Sequence, residues 1–239
     1  MSWTCVDIET VAHDCVRDYV AAPDLGAVTA AKNLKDPAKI AESIESRKAE
    51  LQAEYQESLS RAALDWNLSR IVALAWQSAG DDDVTVYSCH NEVEERQALI
   101  NFWSDYLGRK MVGFCARTFD APTLIQRSRL LNVNHPRVRI DRYGRGDVID
   151  VRDVLTFDDA RYEAIMPRSL KAFCKRFGIP VDDPVDGKDI PELVAAGKWE
   201  LVKAHVVSDV RLTLALAQRV GVIPSTVRYE AVADAAELF

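Results

Sequence analysis

Three short segments rich in β-branched and aromatic residues constrain this chain most: SWTCVDIE (2–9), RIVALAWQ (70–77) and VTVYSC (84–89) read as strands. NEVEERQALINFWSDYLG (91–108) then sets apolar Val93, Leu99, Phe102, Trp103 and Leu107 among charged neighbours behind a Glu-rich first turn, the pattern of an amphipathic helix. MVGFC (111–115) reads as a fourth strand, APTLIQRSRLL (121–131) as a second helix and VIDV (148–151) as a fifth strand. Three strands in succession followed by helices alternating with strands predict an α/β fold, a mixed five-stranded sheet flanked by helices.

The stretch 24–68 interrupts this rhythm. Asp36 and Pro37 form a helix start, and Ile40, Ile44, Leu51, Tyr55 and Leu59 follow at helical spacing among Lys, Glu, Gln, Ser and Arg. The expectation is a long, exposed helical arm inserted between the first two strands of one domain, 1–239. The apolar spacing is not a sustained heptad, so one stripe of the arm should pack on the domain rather than form a coiled coil.

Asp7 and Glu9 end the first strand at i and i+2 and so share a face, where their mutual repulsion calls for a positive partner. Taken alone, such a pair is more often two surface acids. Asp120 stands three residues past Arg117 in GFCARTFDAPTLIQR, and on that stretch alone an N-cap is the better reading. In ELVKAHVVSDVRLTLALAQRV (200–220), His205 and Asp209 lie four apart on one face of a helix that carries Leu201, Val202, Val206, Val210, Leu212 and Leu216. An aspartate buried there needs a partner or a metal, whereas a histidine there could simply be a hydrogen-bonded core residue.

Bulk properties narrow the setting. A net charge of −7 has the wrong sign for binding nucleic acid through many phosphate contacts, so such chemistry would work locally, through cations and a few basic side chains. The five cysteines lack a C-x-x-C pair, which argues against a disulfide framework or a zinc ribbon and for reduced thiols. With no membrane-length apolar run and no secretory segment, the expectation is a soluble, cytoplasmic protein.

Together, DIET with Asp7 and Glu9, GFCARTFDAPTL with Asp120, and HVVSD with Asp209 resemble the three motifs of the DEDD superfamily of 3'-5' exonucleases, which share the ribonuclease H-like fold. More closely, KDPAKI, VIDVRDVL, RSLKAFCKRFGIP and SDVRLTLALAQR resemble segments of the predicted stand-alone exonucleases of phages and bacteria related to family B DNA polymerase proofreading domains. Two positions depart from that pattern. Cys115 stands where many relatives have asparagine, and His205 takes the place of a tyrosine, whereas histidine-type branches set their histidine one residue further from the aspartate.

The resemblance implies 3'-5' hydrolysis of DNA, single-stranded or frayed, in replication or repair, with two divalent cations, Mg2+ or Mn2+, about 3.5–4 Å apart. Asp7 would bridge both ions, Glu9 and Asp209 would complete the shell of one and Asp120 would hold the other through water. His205 would orient or deprotonate the attacking water. Thr10, Val11 and Phe119 would hold the terminal nucleotide, and Arg117, Arg127, Arg168 and Lys171 are candidates for phosphate contacts. The alternatives are an RNA 3'-5' exonuclease of the same superfamily and a catalytically weak scaffold subunit for a polymerase or other replication protein. The terminal AELF (236–239) resembles a clamp-binding tail without its glutamine, so a frayed terminus is the better reading.

Overall fold

In the computed structural model, which describes residues 2–30, 33–141, 146–157 and 168–224, the strand expected to carry two acids is the middle strand of the sheet. β1 (Trp3–Ala12) pairs antiparallel with β2 (Ser69–Ser78), and β2 pairs antiparallel with β3 (Thr85–Ser88). On its other edge β1 runs parallel to β4 (Lys110–Gly113), and β4 runs parallel to β5 (Val148–Asp150). The order is β3-β2-β1-β4-β5, a mixed five-stranded sheet. The clamp-like AELF lies outside the described residues.

Alternation along β1 divides the core in two. Val6 and Ile8 pack with Leu74 and Trp76 of β2 against α2 (Glu92–Tyr106) and α3 (Asp120–Leu130), through Leu99, Phe102 and Leu124. Cys5 points the other way, with Ala75 and Val112, onto α5 (Leu170–Arg176) and α7 (Trp199–Arg219), through Phe173, Val206 and Val210. Short helices α4 (Val151–Thr156) and α6 (Ile190–Ala195) complete that second layer.

The face of α2 differs from the sequence expectation. Val93 and Leu107 are 78% and 73% exposed, whereas Glu95 is fully buried beside Leu99, Phe102 and Trp103. Glu95 is satisfied there: it accepts the Ile71 N–H and two bonds from Arg127, at 2.7 and 2.8 Å. Arg127, a candidate phosphate contact, is therefore an interior ion-pair partner, with a side chain 3% exposed. On α7, Leu201 likewise turns out to solvent.

The inserted helix, α1 (Pro37–Ala63), starts where the Asp36-Pro37 pair places it, with the Asp36 carboxylate accepting the Ala38 N–H. Ile40, Ile44, Leu51, Tyr55 and Leu59 form a half-buried stripe, while the exposed side carries ion pairs such as Lys48–Glu45 and Arg61–Glu57, each worth little. Only the last turn is rooted deeply: Ala62 and Ala63 are buried, and the Thr10 hydroxyl donates to the Ala63 carbonyl at 2.6 Å. A polar surface with one half-buried stripe is the pattern of a helix that packs along one side only.

Candidate active site

The site grows from the C-terminal half of β1. Its pairing with β2 slips between Glu9 and Thr10, and Val72 and Ala73 both face the α7 side, so a bulge on β2 lies directly beside Glu9. Asp7 and Glu9 follow Cys5 at two-residue steps and share its side of the sheet, where α7 crosses. Val206 and Val210 bury that helix against the strand, and the Cys5 thiol reaches the Val210 carbonyl at 3.8 Å. His205 and Asp209, one turn apart, are thereby brought to the acids. His205 Nε2 lies 3.2 Å from Glu9 Oε1 and 3.9 Å from Asp209 Oδ2. One ligand atom from each of Glu9, His205 and Asp209 falls within a 4.8 Å set.

Asp120 enters from the other side of β1. Phe119 is the N-cap position of α3 and makes no side-chain cap bond, and Asp120 itself is the first helical residue. Its Oδ2 is buried and meets no hydrogen-bond donor among the described residues, so the N-cap reading does not hold. Gly113, at the end of β4, allows this approach: a Cβ there would stand 2.6 Å from Ala116 Cβ, 3.0 Å from the Val6 carbonyl and 3.4 Å from Asp120 Oδ2.

The electrostatics are those of crowded acids. Burial, then the charges of Asp209, Asp120 and Glu9, push the Asp7 carboxyl well above the usual carboxylate range. Glu9 is raised by burial and then by Asp209, Asp120 and Asp183, with Lys171 opposing. Asp120 is raised by burial, Asp150 and Asp209. Burial also raises Asp209, against the pull of His205 and Lys171. Asp7 and Asp120 thus lie close enough to act on the cluster, although their oxygens fall outside the 4.8 Å set.

This donor set suits a hard divalent cation. It is rich in carboxylate oxygen, and Asp120 Oδ2 and Asp209 Oδ1 are buried with no donor among the described residues. A cation supplies the charge that buried, mutually repelling acids lack.

Two aspartates that matter here were not singled out from the sequence. Asp183 accepts from His205 Nδ1 at 2.5 Å and pairs with Lys171 at 3.1 Å. Lys171 also donates to the Val185 carbonyl, so it is tied down beneath the site rather than presented to phosphate. Asp150, N-cap of α4, accepts the N–H groups of Arg152, Cys115 and Arg117 and is pushed up to about 6 by burial and by Asp153. The only foreshadowing of either was a tight Asp-Pro loop and an acid closing a strand.

Among the other expected contacts, the Thr10 hydroxyl is engaged by Ala63, and Phe119 is half-buried against the α3-side core. Val11 lines a groove of about 440 Å³ with Gln56, Leu59, Lys188 and Pro191. Arg117 pairs with Asp153 at 2.5 Å, and Arg168 is exposed.

Cys115 has a left-handed backbone, φ +65°, held by its N–H bond to Asp150. Asparagine adopts that region more readily than cysteine, so the backbone at this position favours asparagine. Cys115→Asn is expected to stabilise the protein in urea unfolding by up to about 1 kcal/mol, part of the cost of a left-handed backbone for an ordinary side chain. A loss of stability would show that the half-buried thiol contributes more through packing than its backbone costs.

Comparison with known proteins bears on this arrangement. The family B DNA polymerase of the archaeon Pyrobaculum calidifontis superposes with a TM-score of 0.55 over 92% of this chain at 18% identity, a likeness of fold. The chain spans 24% of that polymerase. No curated protein sequence matches significantly. The family profile described as a predicted 3'-5' exonuclease related to the exonuclease domain of PolB matches residues 62–238, and the chain belongs to that family.

Proposed function

We propose that the protein is a metal-dependent 3'-5' exonuclease acting on single-stranded or frayed DNA. The observation that carries this reading is the convergence of Glu9, His205 and Asp209 beside Asp7 and Asp120, with two buried carboxylate oxygens lacking any donor among the described residues. Asp7, Glu9, Asp120 and Asp209 would hold two divalent cations, Mg2+ or Mn2+. When bound, such cations stabilise negative charge on the attacking and leaving oxygens of a phosphodiester.

The remaining work falls to the chain's own groups. His205 Nε2, facing Glu9 and Asp209, takes the proton of the attacking water. Thr10 and Val11, through backbone groups, and Phe119, through its ring, hold the terminal nucleotide. Buried basic residues are already paired internally, so few phosphates are gripped, in keeping with the net negative charge. The chain acts as one catalytic unit in the cytoplasm, where its five free thiols remain reduced, and α1 is an accessory arm that adds surface for long substrates or a replication partner. Among the described residues, no helix is long and apolar enough to cross a membrane.

End-labelled single-stranded DNA and RNA of matched sequence, incubated with Mg2+, with Mn2+ or with chelator, test the reading. Stepwise loss from the DNA 3' end that needs metal is the expected result. Loss from the 5' end, or intact substrates with either metal, would overturn it, and faster loss of RNA would reassign the substrate. Within the same assay, His205→Ala is expected to lower kcat by about 10²-fold or more with a smaller change in KM, because proton transfer occurs only on the way to the transition state. Equal losses in both would make His205 a packing residue.

A further inference from the structure

His205 is gripped at both ring nitrogens, and the grip at Nδ1 belongs to no motif. The geometry points to Asp183 as the positioning residue of His205: its carboxylate accepts the hydrogen bond from Nδ1–H and thereby turns Nε2 toward Glu9 and Asp209.

Asp183 precedes α6 in a loop, 22 positions before His205. Its side chain is 7% exposed and that of His205 3%. Every polar neighbour the structure gives the Asp183 carboxylate is a donor. Oδ1 accepts the Val185 N–H at 2.9 Å, and Oδ2 receives His205 Nδ1 at 2.5 Å and the Lys171 ammonium at 3.1 Å. Lys171 also donates to the Asp183 and Val185 carbonyls, closing the loop around the carboxylate. A group surrounded by an amide N–H and an ammonium, neither able to accept, must itself accept from all sides. The imidazole is the single member of this set able to present either a donor or a lone pair, and Asp183 leaves it only the donor role at Nδ1.

The arrangement orients as well as protonates. A histidine on a helix can swing about its side-chain torsions, and a buried carboxylate bonded to the far nitrogen confines the ring to one rotamer. Burial works against ionisation of Asp183, yet the His205, Val185 and Lys171 bonds hold its carboxyl below the usual range, so it stays an acceptor.

This inference rests on the nuclease reading for its effect on turnover, but the placement of the ring can be tested without turnover. Nitrogen-15 histidine spectra of the metal-free protein, with His205 assigned by its loss in His205→Gln, report which ring nitrogen carries the proton. In wild type the neutral ring is expected to carry its proton on Nδ1. In Asp183→Asn an amide N–H₂ must face one of three donors. Asp183→Ala removes the acceptor altogether. In both variants the neutral ring should shift its proton to Nε2.

Asp183→Asn keeps the loop filled, so it reports even if the alanine variant unfolds. In both, kcat on single-stranded DNA should fall about 10–100-fold, the range for losing a partner that orients a site residue. KM and the Mn2+ affinity measured by electron paramagnetic resonance should stay near wild type. A neutral wild-type ring with its proton on Nε2, or unchanged spectra and kcat in the variants, would overturn the assignment. If wild type degrades no nucleic acid, the exonuclease reading falls, and the spectra alone decide whether Asp183 sets the ring.

Discussion

Asp7→Ala is expected to lower exonuclease turnover by on the order of 10³-fold while leaving the metal-free protein at least as stable as wild type. The activity loss follows from the proposal that Asp7 is one of the acids that would hold the cations: stabilisation of developing charge there is worth several kcal/mol, at about 1.4 kcal/mol for each tenfold in rate. The stability result has a separate origin. Asp7 is held among Glu9, Asp120 and Asp209, and removing it relieves repulsion on all three without opening an apolar cavity, since it stands half-buried at the mouth of the site. Single-turnover cleavage of labelled DNA and urea unfolding with chelator measure the two effects independently. Wild-type cleavage by the variant would remove Asp7 from the site, and a stability loss of several kcal/mol would mark it as a structural residue.

What the sequence made legible follows the range of the interactions involved. Periodicity placed all five strands, and local chemistry placed the start of α1, because Asp36 and Pro37 act within one turn of themselves. The motif acids were legible because strand and helix spacing dictates shared faces: Asp7 with Glu9, and His205 with Asp209. The failures are tertiary. Val93 and Leu107 fit the helical period, but α2 turns Glu95 inward because Arg127, 32 residues on, and the Ile71 N–H satisfy it. Asp183 was invisible for the same reason, being one acid of an Asp-Asp-Pro loop until α7 carries His205 against it. The β2 bulge beside Glu9 left no local signal in RIVALAWQ, and Asp120 suited an N-cap until the approach over Gly113 showed it turned into the site.

The same crowding predicts how stability depends on pH and on metal. Asp7, Glu9, Asp120 and Asp209 bind a proton more tightly folded than unfolded, and Asp150 is pushed up to about 6. For such raised acids the contribution to stability is fully present below the unfolded value near 4 and is lost as pH rises through the folded value. Asp183, held low, works in the opposite sense, but its contribution is lost only on acidification below about 4, outside this window. Without metal, the unfolding free energy should therefore fall as pH rises from about 4.5 to 7.5, with Asp150 alone accounting for about 2–3 kcal/mol. Added Mn2+ should restore stability where the acids are ionised, by about 2.7 kcal/mol at a hundredfold excess over its dissociation constant. That gain should shrink on acidification, because ligand carboxylates must give up protons to bind. Urea unfolding at stepped pH, with chelator and with Mn2+, measures both slopes. Asp7→Ala should flatten the first and weaken the second together, since one cluster of acids generates both. A metal-free stability that is flat or rises across this range would mean that the acids are not electrostatically crowded, and with that the case for cations between them would lose its physical basis.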